Sequence, residues 1–258
     1  MLIVISPAKR LDWQPRDTDQ TAPAFPEDAA RLARAGARLS RPAIQKLMDL
    51  SPDLAKLTQD RFRAFAPEPA PEVTRPAALA FAGDTYMGLE AASLDPDELD
   101  WAQDHLRILS GLYGLLRPRD AIQPYRLEMG SRLKVGRTAN LYGYWGDKLA
   151  ERLAGEARAL GTETLVNCAS QEYFGAVAPG ALDGLRVVTP RFLEEKPGGA
   201  KQVSFFAKQA RGAMARFIIQ RRLQDAAALE AFDTGGYRFR PDLSEPDAPT
   251  FSRPDTTA

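Results

Sequence analysis

A set of short apolar runs, scattered among helix-like segments, constrains the fold of this chain most. The first run is LIVIS at residues 2–6, and the others are ALAFAGD (78–84), TLVNCAS (164–170), LRVVTPRFL (185–193) and KQVSFF (201–206). Runs of this length, bounded by turn residues, are typical of buried strands. Because they do not alternate regularly with helices, they predict an α/β protein, a single domain with a mixed β-sheet flanked by helices.

The intervening segments have helical patterns. Predicted helices cover 26–36, 40–50, 51–65, 95–116, 140–161 and 204–222, and Ser40 and Ser51 are candidate N-caps, each with a proline shortly after it. The four prolines of 66–76 mark either a linker or a surface loop. Residues 236–239 and 250–253 are expected to form a small terminal hairpin, and residues 241–258 form a possible flexible tail of the single domain.

Bulk properties point to an ordinary globular protein. Of the 258 residues, 44% are hydrophobic and 26% are charged. One cysteine cannot form an internal disulfide, which fits a reducing compartment. The apolar run after Met1 is too short for a signal peptide or a membrane span, so we expect a cytoplasmic protein without a membrane partner.

The charges are segregated although 34 basic residues balance 34 acidic ones. Residues 186–222 hold nine basic and two acidic residues, whereas residues 84–106 hold seven acidic residues and no Lys or Arg. On a helix over 204–222, one side is basic and the other apolar. The expected exposed residues are Lys208, Arg211 and Arg216, and the expected buried ones are Phe206, Ala210 and Phe217. This basic side is either a phosphate-binding ridge or a solvated face.

A second basic cluster lies in residues 110–134, where glycines and prolines predict a shaped loop. Its members are Arg117, Arg119, Arg126, Arg132 and Lys134, together with Tyr113 and Tyr125. Arginine forks suit phosphate oxygens and tyrosine rings suit bases. The alternative is a loop held by ion pairs with Asp120 and Glu128.

Six segments of the chain carry a family resemblance. They are ISPAK (5–9), GDTYMGL (83–89), LRILSGLYGLLRPRDAIQPYRLEMG (106–130), LYGYWGD (141–147), NCASQEYF (167–174) and SFFAKQARGAMARFII (204–219). Together, in this order, they resemble the YaaA family of bacterial peroxide-stress-resistance proteins, from the first residue to about Tyr237. The resemblance implies a cytosolic protein that limits damage from free iron during peroxide stress. It also implies duplex-DNA binding in a positively charged cleft, a helix-hairpin-helix element and an uncommon single-domain α/β topology.

The residues themselves favour some of these implications over others. A single His105 and a single Cys168 predict no metal site, and we expect no cofactor. Cys168 is expected to be a small buried residue without a redox role. Residues 37–62 have the form of a helix-hairpin-helix, two short helices broken at LSPD, but lack its usual glycine-hydrophobic-glycine hairpin. An ordinary helical hairpin is the alternative.

A polar cleft is the alternative to a simple DNA-binding surface. Polar residues follow three of the predicted strands, where α/β proteins build sites. The candidates are Ser6, Lys9, Asp84, Tyr125, Asn167, Ser170, Glu172 and Tyr173, joined by Lys208 and Arg211. Such a cleft could serve an enzyme or a binding protein for a nucleotide or another phosphorylated small molecule, or it could hold a DNA phosphate.

The preferred hypothesis joins the two basic clusters into one DNA-binding cleft. Lys9, Arg117, Arg119, Arg126, Arg132, Lys208, Arg211 and Arg216 are expected to contact the phosphates of duplex or branched DNA. The acidic residues 84–104 should then lie elsewhere, since carboxylates in the cleft would repel phosphate.

Overall fold

The computed structural model describes residues 1–16 and 18–254, and it shows a mixed α/β fold built around two larger sheets, with two further sheets of two strands each. The thirteen strands are β1 (Leu2–Ile5), β2 (Arg10–Leu11), β3 (Arg75–Pro76), β4 (Phe81–Ala82), β5 (Leu106–Ser110), β6 (Gly114–Leu116), β7 (Ala121–Ile122), β8 (Thr164–Cys168), β9 (Arg186–Val188), β10 (Arg191–Lys196), β11 (Gly199–Lys201), β12 (Arg238–Phe239) and β13 (Thr250–Pro254).

Ten helices of the described residues surround these sheets. They are α1 (Pro26–Ala37), α2 (Arg41–Met48), α3 (Pro52–Ala64), α4 (Ala77–Ala80), α5 (Asp84–Leu89), α6 (Pro96–His105), α7 (Leu141–Trp145), α8 (Lys148–Ala159), α9 (Gln171–Phe174) and α10 (Ser204–Arg221). No helix among residues 1–16 and 18–254 combines the length and apolarity that crossing a membrane requires.

The central sheet has the strand order β6-β5-β1-β8-β9. β1 lies in the middle and pairs in parallel with both β5 and β8, and all four of its residues are buried. A strand covered on both faces needs apolar side chains at every position, which explains the unbroken LIVI sequence. β9 continues the parallel set, whereas β6 returns antiparallel to β5. The predicted mixed sheet flanked by helices is therefore confirmed.

The second sheet, β11-β10-β13-β12, closes the carboxyl-terminal part of the fold. β12 and β13 form the expected antiparallel pair, with Phe239 opposite Phe251. β13 also pairs in parallel with β10, so it is an inner strand. Of the possible flexible tail, residues 241–254 include a single 3-10 turn and this strand, and residues 255–258 lie outside the described residues.

The segment 95–116 differs from the prediction of one helix. The helix ends at His105, and the chain continues as β5 and β6, whose residues are all buried. When an apolar run is buried on all sides, its sequence shows neither helical nor strand periodicity, so the sequence alone cannot distinguish a helix from a strand. Here the segment is a strand because it pairs with β1. Similarly, 78–84 is mostly the helical turn α4 with two strand residues, and α10 begins at Ser204, inside the strand predicted for 201–206.

Helices α2 and α3 form the expected pair, joined at residues 49–51. Ser40 and Ser51 cap them as predicted, each accepting a hydrogen bond from the backbone N–H three residues later. Asp49 takes a left-handed conformation at the turn (φ 49°), a position that usually favours glycine or asparagine. The pair is a helical hairpin, and its role in binding DNA stays a prediction.

Helix α10 is the structural centre rather than a surface helix. Seven of its residues between 212 and 219 are buried, and it packs most extensively on α5. The two helices cross at Gly88 and Gly212. A Cβ atom at Gly212 would lie 1.8 Å from the carbonyl oxygen of Thr85, and one at Gly88 would lie 2.0 Å from that of Gln209. Only glycine at both positions allows the backbones to approach this closely.

This crossing predicts a large loss of stability on adding one methyl group. Gly212→Ala should lower the free energy of unfolding by about 3 kcal/mol, because the clash is with backbone and the helices must separate. Urea unfolding followed by circular dichroism measures it.

The matched control is Gly155→Ala in α8, where a Cβ atom would meet nothing within 4 Å. The free energy of unfolding of this variant should rise by roughly 0.5–1 kcal/mol, because alanine is the better helix former. Equal stabilities of Gly212→Ala and the parent protein would show that the helices do not cross as closely as described.

Candidate functional site: a cationic cleft at the ends of the central strands

The cleft begins where β1 and β8 end side by side. Because the two strands are parallel neighbours, Ser6 and Ser170 come together at the same edge of the sheet. The backbone N–H of Ser170 donates to Oγ of Ser6 at 2.9 Å, and the Ser6 hydroxyl donates to Oγ of Ser170 at 3.3 Å. Ser170 also caps the short helix α9 by accepting from the N–H of Tyr173. These bonds fix the floor of the cleft.

Above this floor lies a cavity of about 500 Å³. Most of the residues predicted for the polar cleft line it: Ser6, Lys9, Asp84, Ser170, Glu172, Tyr173, Lys208 and Arg211. They come from four separate parts of the chain. The structure therefore places these side chains together at the ends of the strands, and their role in binding stays a prediction.

Arg211 is a cation of the cleft that has no partner among the described residues. Its side chain extends from α10 towards the end of β8 and is half-buried. Its guanidinium makes no hydrogen bond or ion pair with any residue in 1–16 or 18–254. Burial lowers the pKa of Arg211, since removing water disfavours the charged form. A recessed, unpaired guanidinium that faces a cavity is suited to an anionic ligand.

Two other cations of the cleft, Lys9 and Lys208, have acidic partners, whereas Arg10 makes no ion pair with any described residue. Nζ of Lys208 lies 3.5 Å from Oδ2 of Asp84, and 51% of the Lys208 side chain remains exposed. Nζ of Lys9 lies 2.7 Å from Oε2 of Glu128, whose other oxygen lies 3.3 Å from Nη2 of Arg126. Such exposed ion pairs contribute little to the free energy of folding, so a bound anion can replace the carboxylate as the partner of the lysine.

The basic loop reaches the cleft through its second half. Glu128 bridges Lys9 and Arg126, and Oε1 of Glu172 accepts the backbone N–H of Gly130 at 2.9 Å. Nε of Arg126 is buried without a hydrogen-bond partner among the described residues. Burial and the neighbouring Arg126 both lower the pKa of Arg61 in α3, so a further cation stands beside this group.

Two tyrosine hydroxyls complete the wall of the cleft. The Tyr86 hydroxyl donates to the backbone oxygen of Ser6 at 3.1 Å. Burial raises the pKa of Tyr86 and of Tyr173, and the charge of Glu172 adds to the effect at Tyr173. Both phenols are therefore neutral at physiological pH, and they offer rings and hydroxyls rather than charge. Tyr86 was not among the predicted site residues, although it stands two positions after Asp84.

Two predicted cleft residues lie behind the wall. Tyr125 is buried, with its hydroxyl 2.6 Å from Oγ of Ser110. Asn167 is buried near the end of β8, where its side-chain oxygen accepts the N–H of Ala169 at 3.0 Å. The prediction that they line the cavity is wrong, because the strand alternation turns Asn167 away and Tyr125 packs against Phe81 and Tyr113.

Arg117 and Arg119 do not reach the cleft. The β5–β6 hairpin carries the chain back to the amino-terminal edge of the parallel strands, opposite the cleft. There Nε of Arg117 lies 3.3 Å from the buried Asp120, and Nη2 of Arg119 lies 2.6 Å from Asp100. Here the alternative of a loop held by ion pairs is correct. Arg132 is exposed, and it makes no ion pair with any residue of the described ranges.

The expected solvent-facing ridge on α10 is interrupted. Lys208 is exposed and Arg211 faces the cavity, but Arg216 is half-buried and donates from Nη1 to the backbone oxygens of Leu89 and Glu90, both at 3.0 Å. Arg216 thereby closes the carboxyl end of α5, so the prediction that it faces solvent is wrong. Ala210 and Phe217 are buried as predicted.

The expectation that the acidic stretch lies away from the cleft is wrong for one residue. Asp84 lines the cavity because the close crossing of α5 and α10 brings it to Lys208. Other acidic residues of this stretch lie on α6, where Glu98 accepts from Gln220 and Asp100 pairs with Arg119. One carboxylate, rather than the whole acidic stretch, faces the cleft from this segment.

Comparison with known proteins gives consistent results over the whole chain. The model of the family described as peroxide stress protein YaaA matches residues 1–243. The UPF0246 protein of Roseobacter denitrificans is 66% identical over 256 residues, covering 98% of each chain. That of Ruegeria pomeroyi is 66% identical, covering 98% of this chain and 99% of its own. That of Caulobacter vibrioides is 51% identical, with the same coverage.

Cys168 is predicted to be chemically silent although it touches the cavity. Burial raises its pKa to about 12, and the charge of Arg211 offsets this only in part. At pH 8 the thiolate fraction is then on the order of 1,000-fold below that of a thiol with pKa 9. Native-state alkylation followed by mass spectrometry should therefore be slow. Cys168→Ser should leave protection against hydrogen peroxide intact; a loss equal to gene deletion, at normal protein level, would contradict this.

Proposed function

Because this chain belongs to the family of the peroxide stress protein YaaA, which places it in the response to oxidative stress, we propose that it acts there by binding DNA through the cationic cleft. The bound form is duplex or branched DNA, held mainly by its phosphates. In this proposal, the bound protein covers the DNA and so shields it from iron-driven damage. No group of three or more His, Cys, Asp or Glu side chains within 1–16 and 18–254 is arranged to hold a metal ion.

The observation that carries the proposal is the unpaired guanidinium of Arg211 in the cleft. Burying a charge without a partner is unfavourable, so a site of this kind gains from an anion that replaces the lost water. Lys9, Arg10, Lys208 and Arg211 line the cavity against Asp84 and Glu172, which leaves 4 − 2 = +2 on its wall. Arg61 and Arg126 extend the positive region towards α3.

The helical hairpin α2–α3 offers a second set of phosphate contacts in this proposal. The first turn of α3, residues 51–54, is exposed. Because Pro52 has no N–H and the N–H of Leu54 donates to Ser51, the backbone N–H of Asp53 is the group of this helical turn that would reach a phosphate. Arg61 is on the same helix and stands beside Arg126 at the cleft. A duplex that contacts both elements would be bound without reading its bases, because phosphates carry no sequence information directly.

A second candidate function is binding or turnover of a phosphorylated small molecule. The supporting observation is that Arg211 is recessed in a cavity of about 500 Å³, a size suited to a small ligand. A thermal-shift screen separates the two candidates. A protein that binds only DNA should ignore mononucleotides, whereas a nucleotide at 100 times its dissociation constant would stabilise the fold by about 2.7 kcal/mol.

The DNA proposal predicts a steep and specific dependence on salt. For five or six phosphate contacts, the logarithm of the binding constant should fall with log salt at a slope of roughly −4 to −6. Lys208→Ala combined with Arg211→Ala should weaken binding to every duplex sequence and flatten this slope by about two. Fluorescence anisotropy across a salt series measures both quantities.

The control is Lys201→Ala combined with Arg238→Ala, which removes the same charge from exposed positions on the second sheet. This pair should leave the slope unchanged. If the cleft variant binds duplex DNA with the affinity and salt slope of the parent, the cleft does not bind DNA, and a nucleotide-induced thermal shift would then favour the second candidate.

A further inference from the structure

A second cationic groove lies on the exposed side of α1, away from the cleft. Arg31, Arg34 and Arg38 are spaced three and four residues apart, so they share one face of the helix. Lys134, the last residue of the basic cluster, lines the same groove. Together with Ala35, Leu39, Val135 and Gly136 they line a groove of about 440 Å³, which shares no residue with the cleft.

No acidic residue from the described part of the chain lines this groove. All four cations are exposed, and none makes an ion pair or side-chain hydrogen bond with any residue in the described part of the chain. The nearby carboxylate of Asp28 is already engaged, since it accepts from the Tyr144 hydroxyl at 2.7 Å and from Nζ of Lys148 at 2.8 Å. This contrasts with about half of the cations in the rest of the protein, which have carboxylate partners.

Helix stabilisation accounts for only part of this arrangement. A cation in the last turn of a helix, such as Arg34, interacts favourably with the helix dipole. Lys134, however, belongs to a different segment. Backbone hydrogen bonds between Val135 and Thr138, both 3.1 Å, fix the turn that follows it. The fold therefore places a fourth exposed positive charge on the wall that carries the three arginines, and an anion bound between them would offset their mutual repulsion.

We propose that this groove is a phosphate-binding site that takes two or more adjacent phosphates, with the three arginines as forked donors and Lys134 opposite them. Arginine forks match phosphate oxygens, and the apolar floor of Ala35, Leu39 and Val135 offers no competing acceptor side chain. Adjacent phosphates occur in a nucleic-acid backbone and in a free polyphosphate. The inference does not rest on the proposed function of the cleft.

The test is a protection experiment on the whole wild-type protein. Phenylglyoxal modifies accessible arginines, and mass spectrometry gives the rate at each one. Inorganic tripolyphosphate and a short DNA duplex are the two probes, each at ten times its dissociation constant. Either probe should slow modification of Arg31, Arg34 and Arg38 about tenfold, in proportion to the free fraction. Arg238, which is exposed on the second sheet, should be unaffected.

The pattern of protection identifies the source of the phosphates. Protection by tripolyphosphate alone supports a free polyphosphate, and protection by the duplex alone supports a nucleic-acid backbone. Protection of the groove arginines while Arg211 stays reactive supports the groove and counts against the cleft proposal. If neither probe protects Arg31, Arg34 or Arg38, the groove is a solvated face and the inference is wrong.

A variant pair guards against non-specific charge effects. Arg34→Gln combined with Arg38→Gln changes exposed side chains, so the fold should be retained, and it should abolish protection of Arg31 by the effective probe. Lys201→Gln combined with Arg238→Gln removes the same charge elsewhere and should leave protection of Arg31 intact. If both variants lost the protection of Arg31 equally, net charge alone would explain the effect and the proposed site would be wrong.

Discussion

The close crossing of α5 and α10 at Gly88 and Gly212 is the contact on which the rest of the structure depends. Two helices can approach this closely only where neither carries a side chain, and here the carbonyl oxygens of Thr85 and Gln209 occupy the space that a Cβ atom would need. Two residues that line the cavity stand next to these contacts. Asp84 precedes Thr85, and Arg211 precedes Gly212. The crossing therefore sets both the packing of the central helix and the position of the charged groups around the cavity.

The second sheet holds the start of the same helix. The guanidinium of Arg253 in β13 lies 4.4 Å from the ring centroid of Phe206, and its Nε donates to the buried carboxylate of Glu194 in β10. The Tyr237 hydroxyl donates to Glu194 at 2.6 Å. A buried carboxylate that receives bonds from both Arg and Tyr is satisfied, so it costs little to retain and strongly restricts the geometry around it. The central sheet and the second sheet thus fix opposite sides of α10.

Local ion pairs compensate only part of the charge of this neutral chain. About half of the arginines and lysines pair with carboxylates, including Arg117, Arg119 and Lys208. In the cleft, Arg211 has no such partner among the described residues, and on α1 neither do the three arginines of the groove. Uncompensated charge in concave places, rather than the abundance of basic residues, distinguishes these two surfaces from the rest of the molecule. A count of charges along the chain does not show which cations already have partners. It therefore predicted phosphate contacts for Arg117, Arg119 and Arg216, and it predicted none for the arginines of α1.

Local sequence patterns were enough to predict the fold class, the capped helices α2 and α3, the first strand and the residue types that meet at the cleft. Each of these follows from local rules: serine caps, β-branched apolar runs, and polar residues placed just after parallel strands. Contacts that form only in the folded chain explain why 106–110 and 114–116 are strands, why Arg216 closes α5 and why Asp84 faces Lys208. These depend on contacts between segments some 100 residues or more apart in sequence, such as β5 with β1 and α10 with α5. A buried apolar run or an arginine has no local property that reveals its distant partner, so folding alone assigns its place.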